Sequence, residues 1–150
     1  MKFNIKILSL ISLILIATSM SVVFATEAKI NSSTFEIPEG YTGNEIMGVM
    51  MLTDGKSAIM VMENASNIST SKQKLLNKGF TLTNETTYNF ENNSNIVVKQ
   101  ENYKKDQSIS IIYEFKKNDK NYLITYTLPE GVNIPSNENN PVTKIIQSLK

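Results

Sequence analysis

The sequence predicts an α+β fold: a single antiparallel sheet of about six to seven strands, one helix after the third strand, and a C-terminal helix packed on the sheet. Three stretches predict it. Ile46 to Glu63 is an apolar run broken once, by Thr53-Asp54-Gly55-Lys56, which reads as a hairpin. Phe80 to Leu128 alternates between apolar and polar residues with the period of strands. Val142, Ile145, Ile146 and Leu149 fall at i, i+3, i+4 and i+7, the stripe of a helix laid on an apolar surface.

The first residues read as an address. Lys2 and Lys6 form a positive start, Ile7 to Ile16 is almost wholly Ile, Leu and Ser, and Val23-Phe24-Ala25 offers a cleavage site. Residues 1–25 are therefore expected to be a secretory signal peptide cut after Ala25, with Thr26-Glu27-Ala28 as an alternative site. The competing reading is an uncleaved membrane anchor, for which the apolar core is short. Residues 26–150 are then a single α+β domain, secreted or held at the cell surface.

Along that domain, Ala28 to Ser33 reads as a short leader. Phe35, Ile37 and Tyr41 bracket Pro38-Glu39-Gly40, an edge strand stopped by a residue with no N–H for a ladder. In the hairpin, Asp54-Gly55 suits a two-residue type I′ turn. That register sets Met51 against Ala58, Val49 against Met60 and Met47 against Met62 on one face. Met50 with Ile59, Gly48 with Val61 and Leu52 with Ser57 lie on the other. Both faces are apolar, so both are expected to be covered. Ser69 or Ser71 caps a short helix over Lys72 to Lys78, and Gly79 takes the left-handed residue after it.

Phe80, Leu82, Tyr88 and Phe90 then share one parity, and Asn92-Asn93-Ser94 turns the chain into Asn95 to Tyr103. Lys104 to Gln107 and Asn118-Asp119 are further turns, separating Ile109, Ile111, Tyr113 and Phe115 from Tyr122, Ile124, Tyr126 and Leu128. This meander of four strands presents one apolar and one mostly polar face. Pro129 to Asn140 is a long polar loop. Asn140 then serves as N-cap and Pro141 as first residue of the closing helix.

Phe35-Glu36-Ile37-Pro38-Glu39-Gly40-Tyr41 and Lys144-Ile145-Ile146-Gln147-Ser148-Leu149-Lys150 resemble the opening aromatic-x-Ile-Pro-x-Gly-aromatic strand and the closing helix of the PsbP-like family. That fold is named for an extrinsic photosystem II subunit and is shared with a Ran-binding nuclear import factor and many small exported prokaryotic proteins. The resemblance covers nearly all of residues 26–150 and implies the fold. Photosystem relatives use histidines and acidic clusters for metal or partner contacts; this chain has no His, so the resemblance brings no site residue with it.

Composition narrows the chemistry. With no His and no Cys, the chain has no Ser–His or Cys–His nucleophile, no Cys/His zinc site, no disulfide and no lipid-modified cysteine. All 15 basic residues are Lys, against 14 acids. Without residues 1–25 the balance is 13 to 14, near neutral and Arg-free, which argues against a nucleic-acid partner. Asp54, Asp106 and Asp119 all fall in predicted turns, where Asp is chosen for local hydrogen bonds. No two of the glutamates stand at a spacing that marks general acid and base. No glycine-rich phosphate loop follows a strand. Asn-x-Ser/Thr sequons occur at Asn31, Asn64, Asn67, Asn84 and Asn92, in a chain whose composition makes several expected by chance.

Two surfaces invite a functional reading. Met47, Met51, Met60 and Met62 share a hairpin face, and thioethers are soft donors suited to Cu(I). The bland alternative, which the apolar opposite face favours, is methionine as a gap filler in the core. Lys99, Glu101, Ser110, Thr125 and Thr127 share the polar face of the meander beside the Pro129–Asn140 loop, a setting for a protein or glycan, though more often a plain solvated face. The expected function is an exported, non-enzymatic binding module acting at or outside the cell surface on an unidentified protein or glycan. No catalytic, metal or cofactor residue is assigned, and a membrane enters only through an uncleaved N-terminal segment. The alternatives are an envelope enzyme, such as a glycan hydrolase using two glutamates, and methionine-based Cu(I) handling.

Overall fold

In the computed structural model, residues 27–63, 68–90 and 95–150 are described. The signal segment with its cleavage site, the Asn92-Asn93-Ser94 turn and the sequons at Asn64, Asn67 and Asn92 lie outside them. Asn31 and Asn84 are exposed.

The elements are β1 (Glu27–Ile30), β2 (Ser33–Glu36), β3 (Thr42–Ile46), β4 (Val49–Thr53), β5 (Ala58–Glu63), α1 (Ile68–Asn77), β6 (Thr81–Asn89), β7 (Val97–Lys105), β8 (Ser108–Lys117), β9 (Lys120–Leu128) and α2 (Pro141–Ser148), with a short 3-10 turn over Asn137–Asn139. The fold is α+β. One antiparallel sheet has seven strands in the order β3-β4-β5-β9-β8-β7-β6, and β1 and β2 form a separate two-stranded sheet.

The expected leader, Ala28 to Ser33, is thus structured: Ala28 and Ile30 on β1 are buried, and β2 carries Phe35 into the same core. The expected edge strand forms as β2, which ends at Glu36 just before Pro38, but it pairs with β1 in the small sheet and leaves Ile37 and Tyr41 outside it. Pro38 closes a turn, with the Tyr41 N–H donating to its carbonyl at 3.1 Å and Gly40 at positive φ. The chain then enters β3, the real edge of the large sheet. The first helix accordingly follows the fifth strand and begins at Ile68, ahead of both Ser69 and Ser71.

The methionine hairpin forms with a different register. Met51 pairs with Met60 and Val49 with Met62, a slip of two residues from the expected pairing. The cause is Asp54, whose Oδ1 accepts from the N–H groups of Lys56 and Ser57 and from the Ser57 hydroxyl. This Asx-type geometry needs all of residues 54–57 as the connection. A slip of two leaves each side chain on its expected face. Met47 is the exception. With Gly48 it makes the two-residue turn between β3 and β4, both at positive φ, and it is 96% exposed.

The four meander strands and the closing helix form, but the turn expected over Lys104 to Gln107 shrinks to Asp106-Gln107 because Lys104 and Lys105 stay paired in the ladder. Asn118 and Asp119 both take positive φ between Lys117 and Lys120, and Asp106 does so in the β7–β8 turn. Asp54, Asp106 and Asp119 therefore all serve turns. In β6 a bulge between Leu82 and Asn84 breaks the expected parity. Leu82 and Tyr88 fall on opposite faces, and Leu82 is left exposed.

One sheet face, here face I, buries Met50, Leu52, Ile59, Val61, Ile111 and Ile124 among others beneath α2 and the β1–β2 sheet. Val142, Ile145 and Ile146 of α2 are fully buried there, each worth about 2 kcal/mol of transfer energy. Asn140 Oδ1 accepts from the Val142 N–H at 3.0 Å, and its Nδ2 donates to the Tyr113 hydroxyl at 2.8 Å. At the other end of α2, Lys117 Nζ donates to the carbonyls of Ile146 and Gln147, satisfying acceptors the helix leaves open.

Candidate functional site

The opposite face, face II, carries the residues singled out from the sequence. Period two and the observed register set them in rows across the strands. One row runs Met51, Met60, Thr125, Ile112, Glu101, Glu85. The next runs Val49, Met62, Leu123, Glu114, Lys99, Thr87. Face II therefore has a thioether end on β4 and β5 and a charged end on β6 to β8. Helix α1 covers the middle. Its Leu75, with Phe80 and Met62, packs on a small cluster of Tyr103, Ile112 and Leu123.

At the charged end α1 is tied down by Lys72. Its Nζ lies 2.8 Å from Glu101 Oε1 and also pairs with Glu114. Lys99 Nζ stands 3.0 Å from Glu101 and 3.2 Å from Glu85, and the Tyr103 hydroxyl donates to Glu101 Oε2 at 2.7 Å. Burial opposes ionisation of Glu101, but Lys72, the Tyr103 hydroxyl and Lys99 outweigh it and bring the carboxyl down to about 2. Burial and the adjacent Glu101 carboxylate push the Tyr103 phenol up. Burial works against the charge on Lys72, and the two carboxylates overcome it.

The described residues thus bring Glu101 together with Glu114 around Lys72 and with Glu85 around Lys99. A general acid must hold a proton at working pH. Glu101 does not. The arrangement clamps a helix to a sheet through charge-assisted contacts.

The polar face expected from Lys99, Glu101, Ser110, Thr125 and Thr127 exists as a set, since all five point to face II. It is not the open, solvated surface expected. Glu101, Ser110 and Thr125 are 4%, 1% and 6% exposed. The reason is α1, whose short amphipathic stretch gave no hint of which sheet face it would cover. The Pro129–Asn140 loop does not rim this face either, because its Ile134 packs against the face I core. Lys72 and Glu114, central to the charged end, went unremarked in the sequence. Charged residues at in-phase positions of predicted strands, Glu101 and Glu114, were the available signal.

The thioether end differs. Met51 and Met60 oppose each other directly, with Met62 two residues along β5. All three are half-buried. The expectation that this methionine face would be covered holds only for Met62, which packs with Leu75 of α1 on the Tyr103, Ile112 and Leu123 cluster, while among the described residues Met51 and Met60 join no buried cluster. The Thr125 Oγ1 beside Met60 is buried and has no hydrogen-bond partner.

A second buried charge sits where the two sheets meet. Glu63 accepts from the Ser32 hydroxyl at 2.8 Å and from its N–H, with Lys120 Nζ at 3.5 Å. Burial raises its carboxyl, but the Ser32 and Ser33 hydroxyls and the Lys120 charge bring it below the ordinary value. This cluster fastens the β1–β2 turn to the large sheet.

Among the described residues no three of His, Cys, Asp and Glu are grouped to hold a metal ion, and no helix is long and apolar enough to cross a membrane. Neither the protein-family models searched nor the curated proteins searched give a match to this chain.

Proposed function

We propose that the chain is an exported, non-enzymatic binding module of PsbP-like fold that acts at or outside the cell surface and engages its ligand through the thioether end of face II. One observation carries the reading. In a sheet whose face I is covered over its middle strands and whose face II is partly roofed by α1, the patch around Val49, Met51, Ala58 and Met60 stays half-open. Flexible, polarisable methionines suit a surface that must adapt to what it binds. The strands-then-helix order and the closing helix on the sheet support the PsbP-like assignment, and the apolar start of the chain supports export.

The test is photo-crosslinking with a diazirine analogue in place of methionine, in intact cells. A discrete adduct mapping to Met51 or Met60, and lost in Ala58→Glu, is expected. Adducts mapping only to the turn residue Met47, or unchanged by Ala58→Glu, would overturn the reading.

A further inference from the structure

The chemistry of the ligand is narrowed by the strand register, which roots three methionines close together on one sheet face. We infer that Met51, Met60 and Met62 form a thioether site for a soft monovalent metal ion, Cu(I). This rests on the thioether end of face II being the binding surface.

The register carries the inference. Met51 and Met60 are a directly opposed cross-strand pair, so their Cβ atoms stand about 5 Å apart. Met62 is the same-face neighbour of Met60 and the diagonal neighbour of Met51, about 7 Å away. Three flexible side chains rooted on so small a triangle, all rising from the same side of the sheet, can bring their sulfurs to one point. Met51 and Met60 are half-buried and belong to neither buried cluster, while Met62, also half-buried, packs on the edge of the Tyr103, Ile112 and Leu123 cluster next to them.

The chemistry selects the ion. Thioethers are neutral soft donors, poor ligands for Mg²⁺, Ca²⁺ or Zn²⁺ and good ones for Cu(I). The chain has no Cys and no His to compete for it. Neutral thioethers lose no proton on binding, so affinity should be flat where Cys or His sites vary steeply with pH.

The full-length chain is titrated anaerobically with Cu(I) against a chromogenic chelator. One equivalent should be withdrawn, with the same affinity across neutral and mildly acidic pH. Met51→Leu and Met60→Leu, which conserve volume, should each weaken binding by about tenfold or more. Met47→Leu and Met50→Leu should leave it unchanged, since Met47 sits in the turn and Met50 on the buried face. In a second arm Ag(I), a redox-inert stand-in, should shield Met51, Met60 and Met62 from peroxide oxidation while Met47 is converted to sulfoxide. No withdrawal of Cu(I), equal loss in Met47→Leu, or uniform oxidation with Ag(I) present would each overturn the inference. If the crosslink at Met51 or Met60 survives such a failure, the binding surface stands and only its ligand is wrong. If both fail, the surface falls too.

Discussion

Replacing Glu101 by Gln isolates the energy of the clamp that holds α1 to the sheet. Gln keeps the shape of the side chain, and neither lysine is orphaned, because Lys72 retains Glu114 and Lys99 retains Glu85. Holding the carboxyl at about 2 instead of 4.5 corresponds to about 3 kcal/mol, at about 1.36 kcal/mol per pH unit. The Lys99 contact is rim-exposed and partly screened, so a loss of about 2–3 kcal/mol at neutral pH is expected. The sign follows from the folded carboxyl titrating below the unfolded one. Its stabilisation is complete above pH 4.5 and disappears as the pH falls toward 2. Urea unfolding of both chains at several pH values should therefore show a gap that is full at pH 7 and closed near pH 2. Glu63 and Asp54 also titrate below their ordinary values, which is why the difference between the two chains is the quantity to read. A gap under about 0.5 kcal/mol at pH 7, or one that does not change with pH, would refute the reasoning.

Asn140→Ala removes the α2 cap and the partner of a buried phenol, and should cost about 2–3 kcal/mol by denaturant titration. Tyr113→Phe should then cost much less in that background than in the parent, and strict additivity of the two would contradict the contact. Met47→Asn should stabilise the protein by about 0.5–1 kcal/mol in thermal unfolding, because Asn tolerates the left-handed backbone that Met47 occupies. Lys117→Met, which strips the two carbonyls ending α2 of their cation, should cost about 0.5–1 kcal/mol, with protection of the last α2 amides falling in hydrogen exchange.

The elements written in local chemistry were legible. Asn140 and Pro141 announce a helix start wherever they stand before an apolar stripe, and Asn118-Asp119 announces a turn between alternating strands. The methionine faces were legible too, because parity survives an even slip of register. What could not be read was anything decided at a distance. The side chain of Asp54 lengthened a turn by competing for backbone N–H groups, and Met47-Gly48 made a turn that its apolar first residue concealed. Which face α1 would cover depended on Lys72 meeting Glu101 and Glu114 from separate strands. That one choice of face left the thioethers half-open and sealed a polar row that should have been wet.

Strand β9 lies between β5 and β8, and its ladder to β5 joins Ala58 to Thr127. Every other contact between neighbours in the large sheet is made by strands consecutive in the chain. During synthesis the sheet therefore arises as two halves, β3 to β5 first and the meander afterwards, with one seam between them. Closing a loop of roughly seventy residues costs about 4 kcal/mol of chain entropy, and that whole cost falls on the seam. Until β9 emerges from the ribosome, β5 offers its unpaired backbone and its Ile59 and Val61 to any neighbouring strand. The edge most in need of a partner is thus the one that waits longest for it, and nascent chains held close together would meet there first.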